Sequence, residues 1–263
     1  MKMSNFLSIA QEAARKAGAM LRENVNGSRQ ISYKGEINLV TEMDRQSEKT
    51  VVEHLIAAFP DHGILAEEEA RFEDRSGFLW IIDPLDGTTN YAHGYPSFAV
   101  SIALERSGEI VLGVVYDPMR DETFWAETGR GAFLNGRQIR VSKTGSLIRS
   151  LLATGFPYDR VTSLDNNINY FTALLMASQE VRRSGSASLD LCSVAAGRLD
   201  GYWELKLHPW DVAAGSLIVR EAGGVVSDFS GTRFSIHDQE IVASNGVIHQ
   251  RMIEVINAAR HAT

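Results

Sequence analysis

Phe78-Leu79-Trp80-Ile81-Ile82-Asp83-Pro84-Leu85-Asp86-Gly87-Thr88-Thr89-Asn90 is an apolar run that stops at two acids and a glycine turn. Five consecutive apolar residues predict a buried strand. Asp-Pro predicts its end at Ile82, which puts Asp83 at the sheet edge where ligand clefts form. Pro84 has no N–H and a fixed φ, and Gly87 permits sharp backbone geometry. Thr88 and Thr89 can open a helix whose free N–H groups favour an anion. Carboxylates repel an anion, so a cation must stand between them in such a site.

Outward from this stretch the hydrophobic period divides the chain. Ser4 to Val25 carries Phe6, Ala10, Ala13, Ala17 and Met20/Leu21 on one face, an amphipathic helix capped by Ser4 and stopped near Gly27. Asp44 to Phe59 repeats the pattern and ends at Pro60, so two helices are expected ahead of the first strands. Strands are expected at Ile64–Ala66, Phe78–Ile82, Phe98–Leu104, Ile110–Tyr116 and Thr123–Ala126, with an Asn135-Gly136 hairpin before Gln138–Val141. Beyond Ser142, short strands at Leu151–Thr154, Gly201–Glu204, Val225–Asp228 and Ile241–Ser244 alternate with helices at Asp165–Gln179, Ala187–Gly197, Val212–Ala222 and Ile248–Arg260. The expectation is an α+β half with a mainly antiparallel sheet and the acidic loops (1–142), then an α/β half that completes the site (143–263).

The 263 residues suffice for a sizeable core. A net charge of -7, from 26 basic and 33 acidic residues, provides no field for nucleic acid. A single cysteine, Cys192, rules out an internal disulfide framework and fits a reducing compartment. No stretch approaches the roughly 18 apolar residues of a membrane helix. A cytoplasmic protein is expected.

Four acidic sites stand where a strand gives way to a loop or helix: Glu67 in Glu67-Glu68-Glu69, Asp83, Asp86, and Asp211 in His208-Pro209-Trp210-Asp211. Each has an ordinary reading: a turn, a solvated charge run, or a cap for the helix after Asp211. Together, hard oxygen donors without His or Cys suit Mg2+ or Mn2+ and not Zn2+. The phosphoaspartate pattern Asp-x-Asp-Gly-Thr is one residue shorter than Asp83 to Thr88. Carboxylates at i,i+3 across a Pro turn are not expected to share a strand face as i,i+2 carboxylates do. The Cys-x5-Arg spacing from Cys192 to Arg198 lies in an apolar helical segment, so Cys192 reads as core. His93 and His208 are candidates for supporting roles near the acids.

With these residues assembled, the chain resembles the inositol monophosphatase family of magnesium-dependent, lithium-sensitive sugar phosphatases. Four blocks carry the likeness, in the family's order: Lys34 with Leu39-Val40-Thr41-Glu42-Met43-Asp44; Ala66-Glu67-Glu68; Asp83 to Asn90; and Trp210-Asp211-Val212-Ala213-Ala214-Gly215 with Glu221-Ala222-Gly223-Gly224. The resemblance implies a two-part layered αβαβα sandwich and a homodimer. It implies that Glu67, Asp83 and the Leu85 carbonyl hold one metal, that Asp83, Asp86 and Asp211 hold a second, and that a third, weaker metal contacts Glu67. Two to three Mg2+ ions are thus implied, with Mn2+ as a substitute. Glu67, Thr88 and Asp44 become the candidate catalytic residues, Thr88 orienting the attacking water with Asp44 behind it. The amides of Gly87 and Thr88 would hold phosphate, and the substrate would meet Asp86, Gly185, Ser186, Ala187, Glu204 and Asp211. Asn38 and Glu69 depart from the family's commoner Asp and Ser, and neither falls on an implied ligand.

The chemistry that follows is a Mg2+-dependent phosphomonoesterase acting on inositol monophosphate or another small polyol phosphate, with direct attack by water. Fructose-1,6-bisphosphate, a 3′-phosphoadenosine nucleotide and histidinol phosphate are alternative substrates. A partner-binding protein with a residual phosphatase site is the alternative from another class, with Tyr202, Trp203 or Arg182-Arg183 as its contact surface. No nucleic-acid or membrane partner is expected.

Overall fold

A computed structural model describes residues 3–27, 31–33 and 39–260, with side chains for 5–27 and 42–260. Lys34 and Asn38 lie outside the described residues, as do the side chains of Ser4 and of Leu39-Val40-Thr41. In chain order the elements are α1 (Met3–Asn24), β1 (Ile31–Tyr33), β2 (Leu39–Thr41), α2 (Glu42–Ala58), β3 (Gly63–Ala66), β4 (Arg71–Phe72) and β5 (Phe78–Asp86). There follow α3 (Thr88–His93), β6 (Ala99–Arg106), β7 (Glu109–Asp117), β8 (Glu122–Glu127), β9 (Ala132–Leu134), β10 (Arg137–Ile139) and β11 (Leu151–Thr154). The chain continues through α4 (Ile168–Ala177), β12 (Glu180–Arg182), α5 (Ala187–Ala195), β13 (Gly201–Leu205), α6 (Pro209–Glu221), β14 (Val225–Ser227), β15 (Glu240–Ser244) and α7 (His249–Arg260).

The strands form an eight-stranded sheet in the order β10-β9-β8-β7-β6-β5-β3-β4 and a five-stranded sheet in the order β12-β11-β13-β15-β14. In the first sheet only the β3–β5 pair is parallel: β4 pairs antiparallel on the outer side of β3, and the chain then returns to lay β5 along the inner side in the direction of β3. The second sheet is mixed: β11 runs parallel to β12 and β13, and β15 antiparallel to β13 and β14.

Side-chain alternation along strands buried on both faces builds the layers. On β5, Trp80 and Ile82 point into a core with Phe6, Ala13 and Leu21 of α1 and Val51 and Leu55 of α2. Ile81 points the other way, into a core shared with Leu191 of α5 and Val212 and Ile218 of α6. Tyr202 of β13 closes that core from the far side, while its neighbour Trp203 joins Leu174 of α4 and Met252 and Ile256 of α7. The order is therefore α1/α2, sheet, α5/α6, sheet, α4/α7, the expected αβαβα sandwich. Gly113 shows how closely α6 approaches β7: a Cβ there would lie 2.7 Å from the Ala214 carbonyl oxygen.

The structure corrects several sequence expectations. β5 does not stop at Ile82 but runs to Asp86; its register against β6 passes from Asp83↔Ser101 to Asp86↔Ala99, so a bulge accommodates Pro84. The antiparallel pair β1–β2 stands between the first two helices, which therefore do not both precede the strands. α6 begins at Pro209 and not Val212, since proline is preorganised for the first helical position. β4 and β12 were not foreseen, since elements this short leave no period to read, whereas α3 opens at Thr88 as expected and β9 pairs with β10 across the expected Asn135-Gly136 turn. Cys192 is buried in α5, where burial pushes its thiol up, in keeping with a core role.

Candidate active site

The bulge in β5 decides the site's geometry. Strand alternation would separate Asp83 from Asp86, but the extra residue at Pro84-Leu85 turns both into one electrostatic field, against the expectation that they would diverge. Burial chiefly pushes the Asp83 carboxyl well above its usual range, and the negative charges of Glu67, Asp86 and Asp211 add to this. The Leu85 N–H opposes the shift by donating to Asp83 Oδ1 at 3.0 Å. Asp211 is likewise raised by burial, with Glu67 and Asp86 contributing. Glu67 enters from the end of β3, where its N–H donates to the Ile82 carbonyl at 3.1 Å. Three segments far apart in sequence thus bring four acids within range of one another's charge.

Asp211 also fulfils its ordinary reading. It occupies the third position of α6, and its Oδ2 accepts the His208 N–H at 2.6 Å in a capping box. Helix capping and membership of the cluster use the same side chain.

Asp86 joins the two sheets' layers. Its Oδ2 accepts Ser186 Oγ at 2.6 Å, the Ser188 N–H at 2.8 Å and Ser188 Oγ at 2.5 Å. These bonds hold its carboxyl down against a larger upward push from burial. They bring Gly185, Ser186 and Ala187 against the β5 turn: a Cβ on Gly87 would lie 3.3 Å from the Gly185 carbonyl oxygen. Asn90 Nδ2 secures the approach by donating to the carbonyls of Ser97 at 2.7 Å and Ser184 at 2.8 Å. Gly87 caps α3 with φ 99°, a left-handed conformation that favours glycine.

Thr88 Oγ1 stands 2.8 Å from Asp44 Oδ1 and 3.1 Å from the Leu85 carbonyl oxygen. Its single proton goes to one of these acceptors, leaving the oxygen's lone pairs to accept from a donor in the site. Asp44 is fully buried at the start of α2. Glu204 is half-buried on β13, and Tyr202 Oη donates to its Oε2 at 2.5 Å. Burial, with Asp86 nearby, raises Glu204 to about 7 against the help of Tyr202 and Arg183.

Five residues absent from the sequence reading stand around these. Ser188 binds Asp86, and Asp190 accepts Ser184 Oγ at 2.6 Å. Tyr158, on the loop after β11, is pushed up to about 12 by burial and by Glu67, Asp211 and Asp86. Ser47 and Glu48 lie on α2 beside Asp44, and their i,i+3,i+4 spacing was legible as polar residues on a face that should be buried. Of the two candidate histidines, His93 is exposed at the end of α3, whereas the exposed His208 stacks on Trp210 at 4.8 Å and shares the reciprocal capping box with Asp211. Tyr202 and Trp203 are fully buried and offer no contact surface, whereas Arg182 and Arg183 are exposed.

Among the described residues, no three His, Cys, Asp or Glu side chains already stand at the spacing of a closed metal-ligand group. The donor set nevertheless fits a hard dication: all donors are oxygens, and the mutual repulsion that raises Asp83 and Asp211 is what a cation would relieve.

A five-layer αβαβα sandwich with buried acids beside an Asp-Pro-Leu-Asp-Gly-Thr turn defines the class as a sugar-phosphatase-type hydrolase. Residues 2–262 match the model of the inositol monophosphatase family, and the chain belongs to that family, a phosphatase. It is 50% identical over 258 residues to an inositol-1-monophosphatase of Synechocystis sp., covering 97% of this chain and 90% of that one. It is 46% identical over 261 residues to Nus factor SuhB of Pseudomonas aeruginosa, covering 97% and 96%. The solved structure of inositol monophosphatase from Anabaena (Nostoc) sp. superimposes with a TM-score of 0.90 at 46% identity, covering 98% of this chain and 97% of that one. The family is generally metal-dependent.

Proposed function

We propose that this phosphatase hydrolyses a small polyol monophosphate, inositol monophosphate foremost, by Mg2+-dependent attack of water. The observation that carries the reading is the oxygen-only cluster of Asp83, Asp86, Asp211 and Glu67 beside the Thr88–Asp44 hydrogen bond. Glu67, Asp83, the Leu85 carbonyl, Asp86 and Asp211 would hold two to three Mg2+ ions, or Mn2+ in their place. When bound, such ions neutralise phosphate charge and lower the pKa of a coordinated water. Thr88 accepts from the attacking water while donating to Asp44, which orients a lone pair toward phosphorus. Thr88 is an orienting group, because its own pKa is too high for an unaided base. The amides of Gly87 and Thr88 receive the phosphate oxygens. Gly185, Ser186, Ala187 and Glu204 meet the polyol hydroxyls, and the upward shift of Glu204 lets it accept or donate there.

A screen of phosphorylated metabolites, with and without Mg2+, tests this reading by phosphate release. Inositol monophosphate should give the highest kcat/KM. A clear win for fructose-1,6-bisphosphate, a 3′-phosphoadenosine nucleotide or histidinol phosphate would replace the substrate while keeping the chemistry.

A partner-binding role is the second reading, favoured by relatives that carry the name Nus factor. Inactivity across the whole screen would support it. We take the assembly to be a homodimer: Val161, Leu164 and Ile168 expose apolar surface on one segment. Light scattering reads that state directly. A cytoplasmic setting accords with the single unpaired thiol, and among the described residues no helix is long and apolar enough to cross a membrane. The division at 142/143 is supported by the sheets, whose strands lie within residues 63–139 and 151–244.

A further inference from the structure

We propose that Glu48 is a positioning residue for Glu67, holding from α2 the turn on which that acid is presented. Glu48 is 5% exposed, a buried carboxylate beside an already acidic cluster. Such a charge is tolerated only where donors surround it. Three consecutive amides supply them: the N–H of Glu68 donates to Oε2 at 2.8 Å, and those of Glu69 and Ala70 donate to Oε1 at 2.9 and 2.8 Å. Convergent backbone N–H groups form a concavity for an anion, and here the chain fills it with its own carboxylate. The Ala66 N–H donates to the Ala70 carbonyl at 3.1 Å and closes the turn around it. Glu67 lies inside this closed turn, so the backbone path that aims it is set by Glu48.

The same face of α2 reaches two other parts of the site. Asp44 accepts Thr88 Oγ1 at 2.8 Å, and Ser47 Oγ donates to the Pro84 carbonyl at 2.6 Å. Asp44, Ser47 and Glu48 stand at i, i+3 and i+4, where a helix places neighbours on one surface. One buried helical face therefore braces the Thr88 turn, the Pro84 bulge and the Glu67 turn together.

The proposal rests on the reading of Glu67 as a metal ligand, and a double-mutant cycle keeps the two apart. Mn2+ uptake is measured by calorimetry for the wild type, Glu48→Gln, Glu67→Gln and the double variant. Gln keeps the length of Glu48 but loses the charge and turns an N–H2 toward at least one of the amides. Glu48→Gln should weaken Mn2+ binding about tenfold, the lower end for a group one step behind a ligand. The double variant should bind no more weakly than Glu67→Gln alone. Additive losses would make Glu48 a general stabiliser and overturn the proposal, as would wild-type affinity in Glu48→Gln. Unchanged binding in Glu67→Gln would remove the ligand reading and the proposal with it. Should Glu48→Gln not fold, hydrogen exchange of the wild-type amides of Glu68, Glu69 and Ala70 in chelator decides the matter: protection is expected, and exchange at the rate of an open loop overturns it.

Discussion

Asp83→Asn separates what the acidic cluster costs the fold from what it does for catalysis. In chelator the Asp83 carboxyl is buried and faces Glu67, Asp86 and Asp211, which all oppose its ionisation. Asparagine keeps an oxygen for the Leu85 N–H, now 3.0 Å from Oδ1, and removes the charge. Relief of a poorly compensated buried charge contributes at least about 1 kcal/mol, or roughly 2 °C in Tm for a chain of this size. The sign with pH follows from the raised pKa: the folded state holds a proton that the unfolded state has released. Stability in chelator therefore falls as pH rises from the ordinary value of 3.8 through the raised one, and Asp83→Asn should flatten that fall. With Mg2+ the order reverses. Ligand at about 100 times its Kd stabilises the wild type by roughly 2.7 kcal/mol, some 5 °C, and the variant should lose most of this gain together with turnover. Differential scanning calorimetry in EDTA and in MgCl2, with phosphate release alongside, reads every arm. A variant that melts lower than the wild type in EDTA, or keeps the full Mg2+ gain, would refute the electrostatic reasoning.

Thr88→Val and Asp44→Asn should each lower kcat about 100-fold, and the pair should lose little more than either alone, because one hydrogen bond carries both effects; steady-state kinetics of the four proteins checks this. Gly87→Ala should destabilise by roughly 1–3 kcal/mol, since φ is 99° and a Cβ would stand 3.0 Å from the Ser97 carbonyl oxygen; urea melts measure the loss. His249, wedged between Ser227 Oγ at 2.9 Å and Ser244 Oγ at 3.0 Å, has its pKa lowered by burial. The unfolded state then binds the extra proton first, so this contribution is intact above pH 6.5 and declines as pH falls through that value toward the lowered one; His249→Gln should remove the dependence, as melts across that range would show.

The layered core was legible because burial on two faces writes itself into single residues. Trp80, Ile81 and Ile82 could only be consecutive and apolar if both sides of β5 were covered, and the alternating helices after residue 142 supplied the covers. The acids were legible as a list for a similar reason: Glu67, Asp83, Asp86 and Asp211 each interrupt or terminate an apolar pattern. Glu48 could have been found the same way, as an acid on the face of α2 that should be apolar. Ser188, Asp190 and Tyr158 left no such mark, since serine at a helix start, an acid in its first turn and an aromatic on a loop are ordinary there.

By itself, then, the order of residues determined which strands are covered on both faces, which helices cover them, and which carboxylates stand at strand ends, because period and punctuation are local properties. Only the tertiary structure decided that a bulge at Pro84 brings Asp83 and Asp86 into one field, that Asp86 is gripped by Ser186 and Ser188 from another layer, and that one face of α2 braces three separate turns. Those outcomes depend on backbone register and on contacts between segments remote in the chain, where the energy lies in the meeting of two surfaces and neither surface alone encodes it.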